Sequence, residues 1–262
     1  MVGKLLLRGM LVGLVAGLLT FGFLKVFGEP QVDRAIALEA QLDEAKAKAA
    51  ADEATAKGLP VPPADAEEEL VSRTTQAGIG LFTGVMVYCT AFGGLFALVF
   101  ALVYGRMGDL GPRATSALLA GAGLISVYVV PYLKYPANPP SVGDPETIGM
   151  RTGLYFALIA LSLAAIVASG VLRNRLVPTQ GRWNASLWAG AAYIVAMIVV
   201  GALMPAVNEV PEQFPAVTLW SFRIASLGSQ VILWTTLGLL FGGLTHRVTN
   251  RAGVLRLDAA IV

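Results

Sequence analysis

The sequence predicts an all-α fold: a polytopic transmembrane helical bundle with about six spans and one long extracytoplasmic loop. Hydrophobic residues make up 56% of the 262-residue chain and charged residues 14%, whereas soluble domains contain about a quarter charged residues. Several apolar runs are about 20 residues long, which is enough to cross a bilayer core about 30 Å thick. We therefore expect an integral membrane protein that forms a single membrane domain over residues 1–262.

Six apolar runs are the predicted spans, and they cover residues 5–27, 78–104, 114–133, 153–172, 183–204 and 219–245. In the first of them, Gly9, Gly13 and Gly17 occur at every fourth position. This spacing places them on one helix face, where a second helix can approach closely. Every Asp and Glu lies in a loop, turn or tail, so the spans lack the deep carboxylate that a proton-coupled pump normally has.

Residues 28–77 are expected to form an extracytoplasmic, acidic helical arm. Residues 33–57 are rich in Ala, Glu, Asp and Lys, which favours a helix. Gly58 and the prolines that follow it end this helix, and an acidic cluster comes next at Asp65 and residues 67–69. The cluster either concentrates cations near the membrane or is an ordinary solvated loop.

The basic residues of the short loops predict the orientation in a bacterial cytoplasmic membrane. One side carries ten of them: Lys4, Arg8, Arg106, Arg113, Arg173, Arg175, Arg182, Arg247, Arg251 and Arg256. The short loops of the other side carry Lys134, Arg151 and Arg223. Both termini are therefore expected to be cytoplasmic, with the acidic arm outside.

Two proline-rich loops, residues 135–146 and 204–215, share the order Pro-Ala, Asn, Pro, with carboxylates close behind. Proline ends a helix and holds the preceding residue extended, so each stretch is predicted to be a stiff outward loop. The loops are either well-made turns or a site whose oxygen atoms hold a cation. Oxygen, thioether and imidazole donors suit divalent metals of different softness. The candidate metal ligands are Asn138, Asp144, Glu146, Met204, Asn208, Glu209 and His246.

Each outward segment returns to the membrane through an arginine: Arg73, Arg151 or Arg223. This repeated feature suggests three parallel hairpins around an axis along the membrane normal. The arginines either extend to the lipid headgroups or pair with carboxylates and so fix the loop shapes. The candidate partners are Glu69, Glu146 and Glu209.

The sequence contains no motif that would support catalysis. It has no Gly-rich phosphate loop, no His-Glu-x-x-His and no Gly-x-Ser-x-Gly. The single cysteine, Cys89, lies in an apolar run and is interpreted as a packed thiol. We expect no enzymatic activity, no permanently bound cofactor and no nucleic-acid partner; the expected surroundings are the lipid bilayer.

These loops resemble those of the CbtA family of cobalt transporter subunits. The matching residues include Glu29-Pro30, Arg73 with Gln76 and Gly78, residues 135–140, 142–145 and 151–152, residues 204–211, Leu219-Trp220, Arg223, residues 226–228, Gln230, Trp234 and Gly238-Leu239. The resemblance implies uptake of divalent cobalt for cobalamin biosynthesis, beside a small single-span CbtB-like subunit that carries histidines. Cobalt is implied by the resemblance alone, because no residue here selects it over nickel.

The resemblance leaves some alternatives open. The family is described with five spans, whereas the apolar runs number six. A homo-oligomer is compatible with the sequence. A non-transporting membrane scaffold that assembles a small partner is the first alternative function. An intramembrane enzyme is the second, although no candidate nucleophile and base are present.

Overall fold

The computed structural model describes residues 2–58, 60, 71–106 and 108–248. Within these residues the chain is helical, without strands, and five helices are long and apolar enough to cross a membrane. They are α1 (Val2–Ala56), α2 (Arg73–Val103), α3 (Pro112–Lys134), α4 (Pro145–Leu203) and α5 (Ala216–Val248). The all-α bundle expected from the sequence is therefore confirmed. The acidic cluster at residues 65–69 lies outside the described residues.

Helix α1 is continuous from the apolar span into the acidic arm, whereas the sequence analysis separated the two at residue 28. A π-helical turn, Leu24–Gly28, joins them. Pro30 follows this turn in the α-helical segment Glu29–Ala56; it has no N–H, and both proline and a π-helical turn are usual irregularities inside a long helix. This segment of 28 residues extends about 42 Å at about 1.5 Å per residue. The arm is thus a direct extension of the first span.

The glycines of α1 form a close helix–helix seam with α2, as their spacing predicted. A Cβ added at Gly9 would lie 2.2 Å from the carbonyl oxygen of Gly93, and one added at Gly93 would lie 2.1 Å from that of Gly9. A Cβ added at Gly13 would lie 2.3 Å from the carbonyl oxygen of Cys89. Side chains at these positions would force the two backbones apart, so the seam depends on glycine.

Helix α4 is 59 residues long, but it turns back on itself. Gly181 has φ 75° and ψ 165°, which is not helical. The hydroxyl groups of Ser162 and Tyr193 share a hydrogen bond of 2.7 Å, and Arg173 Nε donates to Ser186 Oγ at 2.8 Å. Ser162 and Tyr193 would lie about 46 Å apart along a straight helix. The chain therefore forms two antiparallel arms, 145–180 and 182–203, that pack against each other.

Helix α5 packs against α1 and α3. Ser116 of α3 donates its hydroxyl hydrogen to the Gly238 carbonyl oxygen at 2.8 Å, and the ring of Trp234 covers Gly123. This arrangement differs from three separate hairpins, because residues 182–203 pack on the first arm of α4 instead of on α5. The proline loop 204–215 then carries the chain from the end of α4 to the start of α5, and on the way it contacts Asp144 of the first loop and Ala35 of α1.

We predict that Gly93→Ala destabilises the protein, because the new methyl group would overlap the α1 backbone. Overpacking of this kind costs about 1–3 kcal/mol, and the melting temperature of the purified protein in detergent should fall. Gly84→Ala in the same helix is the matched control, because nothing lies within 4 Å of its added Cβ. The control should be neutral or slightly stabilising, since alanine favours a helix over glycine. Equal melting temperatures for the two variants would contradict the seam.

Candidate functional site

The two proline loops meet at one end of the bundle and pack against the acidic arm of α1, residues 29–56. Ser141 Oγ donates to the Ala35 carbonyl oxygen at 3.0 Å. Ala35 is fully buried and packs with Val142 of the first loop and Phe214 of the second. A third contact joins the loops directly, since the Tyr135 hydroxyl donates to the Pro205 carbonyl oxygen at 2.8 Å. All three outward segments therefore lie together at one end.

The loops surround a cavity of about 640 Å³, which we call the vestibule. Residues of both loops, of α3, of α4 and of α5 line it. They are Tyr128, Tyr132, Tyr135, Pro136, Ala137, Asn138, Val142, Ile148, Arg151, Thr152, Tyr155, Val207, Asn208, Glu209, Val210 and Arg223. Its volume lies within the range of small-molecule pockets in proteins.

Glu209 joins the second loop to the first. Its Oε2 atom accepts hydrogen bonds from the Asp144 backbone N–H at 2.8 Å and from the Thr147 hydroxyl at 2.9 Å. Arg151 Nε lies 3.3 Å from the same oxygen, although its N–H is not directed at it. The pKa of Glu209 is lowered, first by the hydrogen bond from the Asp144 N–H and then by that from the Thr147 hydroxyl. Partial burial raises the pKa and so opposes the shift, whereas the positive charge of Arg151 lowers it further. The carboxylate therefore stays ionised at neutral pH.

Arg151 also holds the turn that precedes α4. Its Nη2 donates to the Asp144 carbonyl oxygen at 3.0 Å. The guanidinium lies against Gly143, which has φ +120°, and a Cβ at that position would be 2.1 Å from Nη1. Glycine is therefore required at residue 143 both by its backbone conformation and by the contact with Arg151.

Arg223 of α5 binds the first proline loop. Its Nη2 donates to Asn138 Oδ1 at 2.9 Å and its Nε to the Ala137 carbonyl oxygen at 3.3 Å. Among the described residues, no carboxylate lies within ion-pair distance of Arg223. The partners of this arginine are therefore neutral oxygen atoms of the loop and not a carboxylate.

Arg73, at the start of α2, is the arginine with the strongest carboxylate pairing. Its Nη2 lies 2.5 Å from Glu29 Oε2 and 2.9 Å from Asp33 Oδ1. Both partners belong to the arm of α1, whereas the sequence analysis named Glu69, which lies outside the described residues. For Arg151, the structure selects Glu209 and not Glu146. These pairs attach the start of α2 and the second loop to their neighbours.

The predicted metal ligands separate into two groups. Asn138, Asn208 and Glu209 line the vestibule. Asp144 and Glu146 lie beside it, and the Asp144 carboxylate accepts a hydrogen bond from the Glu146 backbone N–H at 2.9 Å. The second group, Met204 and His246, does not line the vestibule.

Met204 packs with Leu158, Tyr193 and Met197 between the arms of α4. His246 lies 23 residues beyond Arg223 on α5, which is about 35 Å along the helix, at the opposite end of the bundle. Among the described residues, no group of three His, Cys, Asp or Glu side chains is placed to hold a metal ion.

Four tyrosines of the vestibule were not assigned to a site by the sequence analysis: Tyr128, Tyr132, Tyr135 and Tyr155. The four-residue spacing of Tyr128 and Tyr132, repeated by Arg151 and Tyr155, is the signal that was available. Residues at this spacing share a helix face, so the two side chains of each pair are expected to face the same neighbouring element.

The charges of the vestibule are unequal. Two guanidinium groups and one carboxylate line it, which leaves one formal positive charge in excess. The remaining polar groups are neutral amide and hydroxyl groups. A divalent cation would therefore bind weakly here, through neutral oxygen atoms and a single carboxylate.

Five long apolar helices with a cavity at one end define an integral membrane protein. The chain belongs to the family described as probable cobalt transporter subunit (CbtA), whose model matches residues 2–246. Comparison with curated protein sequences found no match, and comparison with solved structures found none either.

We predict that Glu209→Gln destabilises the loop pair in a pH-dependent way. Because the folded-state pKa of Glu209 is lowered, its carboxylate contributes full stability above the unfolded-state pKa of about 4.3. That contribution is lost as the pH falls through the lowered pKa. The melting temperature of the variant should lie below that of the wild type at pH 7, and the difference should shrink in acid.

The matched control for this experiment is Glu146→Gln, whose side chain is exposed and lies outside the vestibule. A difference between wild type and Glu209→Gln that stays constant from pH 7 to acid would contradict the role of the ionised carboxylate.

Proposed function

We propose that this chain is a membrane-spanning subunit that takes up divalent cobalt, and that the vestibule is where the ion enters. The observation that carries the proposal is that both proline loops line one cavity, with Glu209 at their junction. Membership in a family of probable cobalt transporter subunits supports the choice of cargo. The metal in this proposal is cargo, and no permanently bound cofactor or catalytic activity is included.

Two neighbouring side chains are the proposed ligands in the vestibule. All described contacts of the Glu209 carboxylate are made by Oε2, so Oε1 can face the cavity. Asn208 is exposed and lines the same cavity, whereas Asn138 Oδ1 is already bound to Arg223. The proposal therefore assigns ion contact to Asn208 and Glu209 and a loop-fixing role to Asn138.

The remaining sequence candidates, Asp144, Glu146, Met204 and His246, are left outside the entry site because they do not line the vestibule.

The weak affinity expected from the charge excess agrees with this role. An ion that must move on has to leave its site, so a tight cage would slow transport. The excess positive charge contributed by Arg151 and Arg223 limits how long a divalent cation stays. The vestibule thus acts as an entry point and not as a storage site.

The proposed orientation places the vestibule and the arm outside a bacterial cytoplasmic membrane. Eight of the ten basic residues counted above are described, and they lie at or near the helix ends opposite the vestibule, as the rule for cytoplasmic loops requires. Because α4 reverses at Gly181, both of its arms are proposed to cross the bilayer. Six crossings then return both termini to the cytoplasm.

A small partner subunit is part of the proposal, since the family is described as a subunit. The described part of the chain offers no three-residue metal cluster. A single-span CbtB-like partner with histidines would supply the nitrogen ligands that a cobalt pathway favours. A homo-oligomer remains compatible with this arrangement.

The second candidate function is a non-transporting scaffold that assembles such a partner. The positive charge excess and the absence of a three-ligand cluster among the described residues favour it. In a scaffold, the polar groups of the vestibule would only fix the loops. Uptake measurements separate the two functions.

We predict that Glu209→Gln and Asn208→Ala each lower the initial rate of cobalt uptake at limiting cobalt by about tenfold, as loss of a polar partner at a metal site typically does. The reason is that each substitution removes one of the proposed ligands. Uptake of radioactive Co²⁺ would be measured in cells that express this chain with and without a CbtB-like partner.

Glu146→Gln is the matched control, because it removes a carboxylate from the neighbouring proline loop without altering the vestibule lining. Uptake in the control should equal that of the wild type. A scaffold would give no cobalt uptake by this chain with any partner, and unchanged uptake in both ligand variants would exclude the entry site.

A further inference from the structure

The vestibule is much larger than a hydrated metal ion requires. Its volume is about 640 Å³. A divalent ion with six water molecules occupies roughly 200 Å³, at about 30 Å³ for each water. The hydrated ion would therefore fill about a third of the cavity, and the remaining space is sufficient for a small organic molecule.

The charge of the vestibule favours an anion over a bare cation. Arg151 and Arg223 line it together with one carboxylate, that of Glu209, which leaves one formal positive charge in excess. Asp144 and Glu146 lie beside the cavity but are exposed, so solvent and salt screen their charges. A ligand with one net negative charge complements this lining, whereas the excess charge opposes a bare divalent cation.

Both arginines retain N–H donors for such a ligand. Within the described residues, the hydrogen bonds of Arg223 use Nε and one N–H of Nη2, and the hydrogen bond of Arg151 uses one N–H of Nη2. A guanidinium group carries five N–H donors, so Nη1 of each arginine is available. Both side chains are partly exposed. Guanidinium groups bind carboxylates through paired, charge-assisted hydrogen bonds, which makes these donors suitable for a carboxylate ligand.

The oxygen donors proposed to contact the metal lie in the same cavity as these arginines. Glu209 and Asn208 both line it, and Glu209 Oε2 is 3.3 Å from Arg151 Nε. A group that binds metal and a group that binds carboxylate are therefore adjacent. A bare ion would use only the first of them, and a free carboxylate only the second. A metal ion that is already held by carboxylate groups would use both.

Four tyrosines complete the lining: Tyr128, Tyr132, Tyr135 and Tyr155. A tyrosine side chain presents an apolar ring and a hydroxyl that can donate a hydrogen bond. A hydrated ion has no apolar part that could contact the rings. An organic ligand with a short hydrocarbon backbone between its carboxylate groups has one, so the aromatic lining also fits such a ligand better.

We propose that the vestibule receives the metal as a complex with a small organic di- or tricarboxylate, instead of as a bare hydrated ion. In this complex, some carboxylate oxygen atoms bind the metal and others bind Arg151 and Arg223. Asn208 and Glu209 replace water molecules that remain on the metal. A divalent ion and a fully ionised tricarboxylate together carry one net negative charge, which complements the lining. The inference rests on the proposed function, because it concerns the form in which that cargo arrives.

Citrate is the probe, because it is a tricarboxylate that forms a complex with Co²⁺. Binding of radioactive Co²⁺ to the full-length protein, purified in detergent, would be measured by equilibrium dialysis at pH 7. One series would contain Co²⁺ alone, and a second would contain enough citrate to complex all of the cobalt. We expect the wild type to bind the complex at least about tenfold more tightly than Co²⁺ alone. Radioactive citrate without metal should bind more weakly than the complex, because it lacks the contacts to Asn208 and Glu209.

Arg223→Gln removes one positive charge and retains an amide that can donate to the first loop. It should weaken binding of the complex by about tenfold and strengthen binding of Co²⁺ alone, because a repelling charge is lost. The ratio of the two affinities therefore falls, whereas a general loss of structure would weaken both. Arg175→Gln is the matched control, since it makes the same change in charge at an exposed position outside the vestibule. It should leave the ratio unchanged.

Val207→Asp provides a second test if Arg223→Gln fails to fold. Val207 lines the vestibule, and the substitution adds a negative charge while it leaves both arginines and their hydrogen bonds in place. It should lower the same ratio, because the added carboxylate attracts Co²⁺ and repels the complex.

The inference is overturned if citrate does not tighten cobalt binding by the wild type, or if the folded vestibule variant keeps the wild-type ratio. Citrate that binds equally well without metal would also overturn it. The cellular uptake assay separates this result from the proposed function. Tight binding of the complex without uptake would support the inference and reject the transport role. Uptake without an effect of citrate on binding would do the reverse.

Discussion

The end of the bundle that bears the vestibule depends on one constraint: loop carbonyl oxygens beside apolar helices need hydrogen-bond donors. Proline supplies no N–H, and at the edge of a bilayer an unpaired backbone group is costly. Side chains of neighbouring helices and of the loops themselves provide the donors here. The pairs are Arg223 with Ala137, Arg151 with Asp144, Tyr135 with Pro205 and Gln76 with Val71.

This constraint explains the different partners of the three arginines. Arg73 pairs with two carboxylates, but Arg151 and Arg223 each donate a hydrogen bond to a backbone carbonyl group. Arginine suits this role because its planar group carries five donors. The consequence is a vestibule in which positive charge exceeds negative charge. Its architecture therefore limits cation affinity, whichever function it serves.

The vestibule presents amide, hydroxyl and carboxylate oxygen atoms, and these do not separate transition metals from Mg²⁺ or Ca²⁺. Selection of one divalent ion over another therefore needs donors beyond those of the vestibule.

The sequence by itself determined the all-α bundle, because hydropathy reports which residues are compatible with lipid. It also determined the glycine seam, because the four-residue period sets the helix face. Helical propensity also predicted the arm, although not its continuity with α1, since Gly28 and Pro30 are tolerated at that turn. Only the tertiary structure decided the shared vestibule and the pairing of Glu209 with Asp144. Those contacts join residues far apart in the chain, as when Arg223 meets Ala137 across 86 positions, and local patterns carry no information about such pairings.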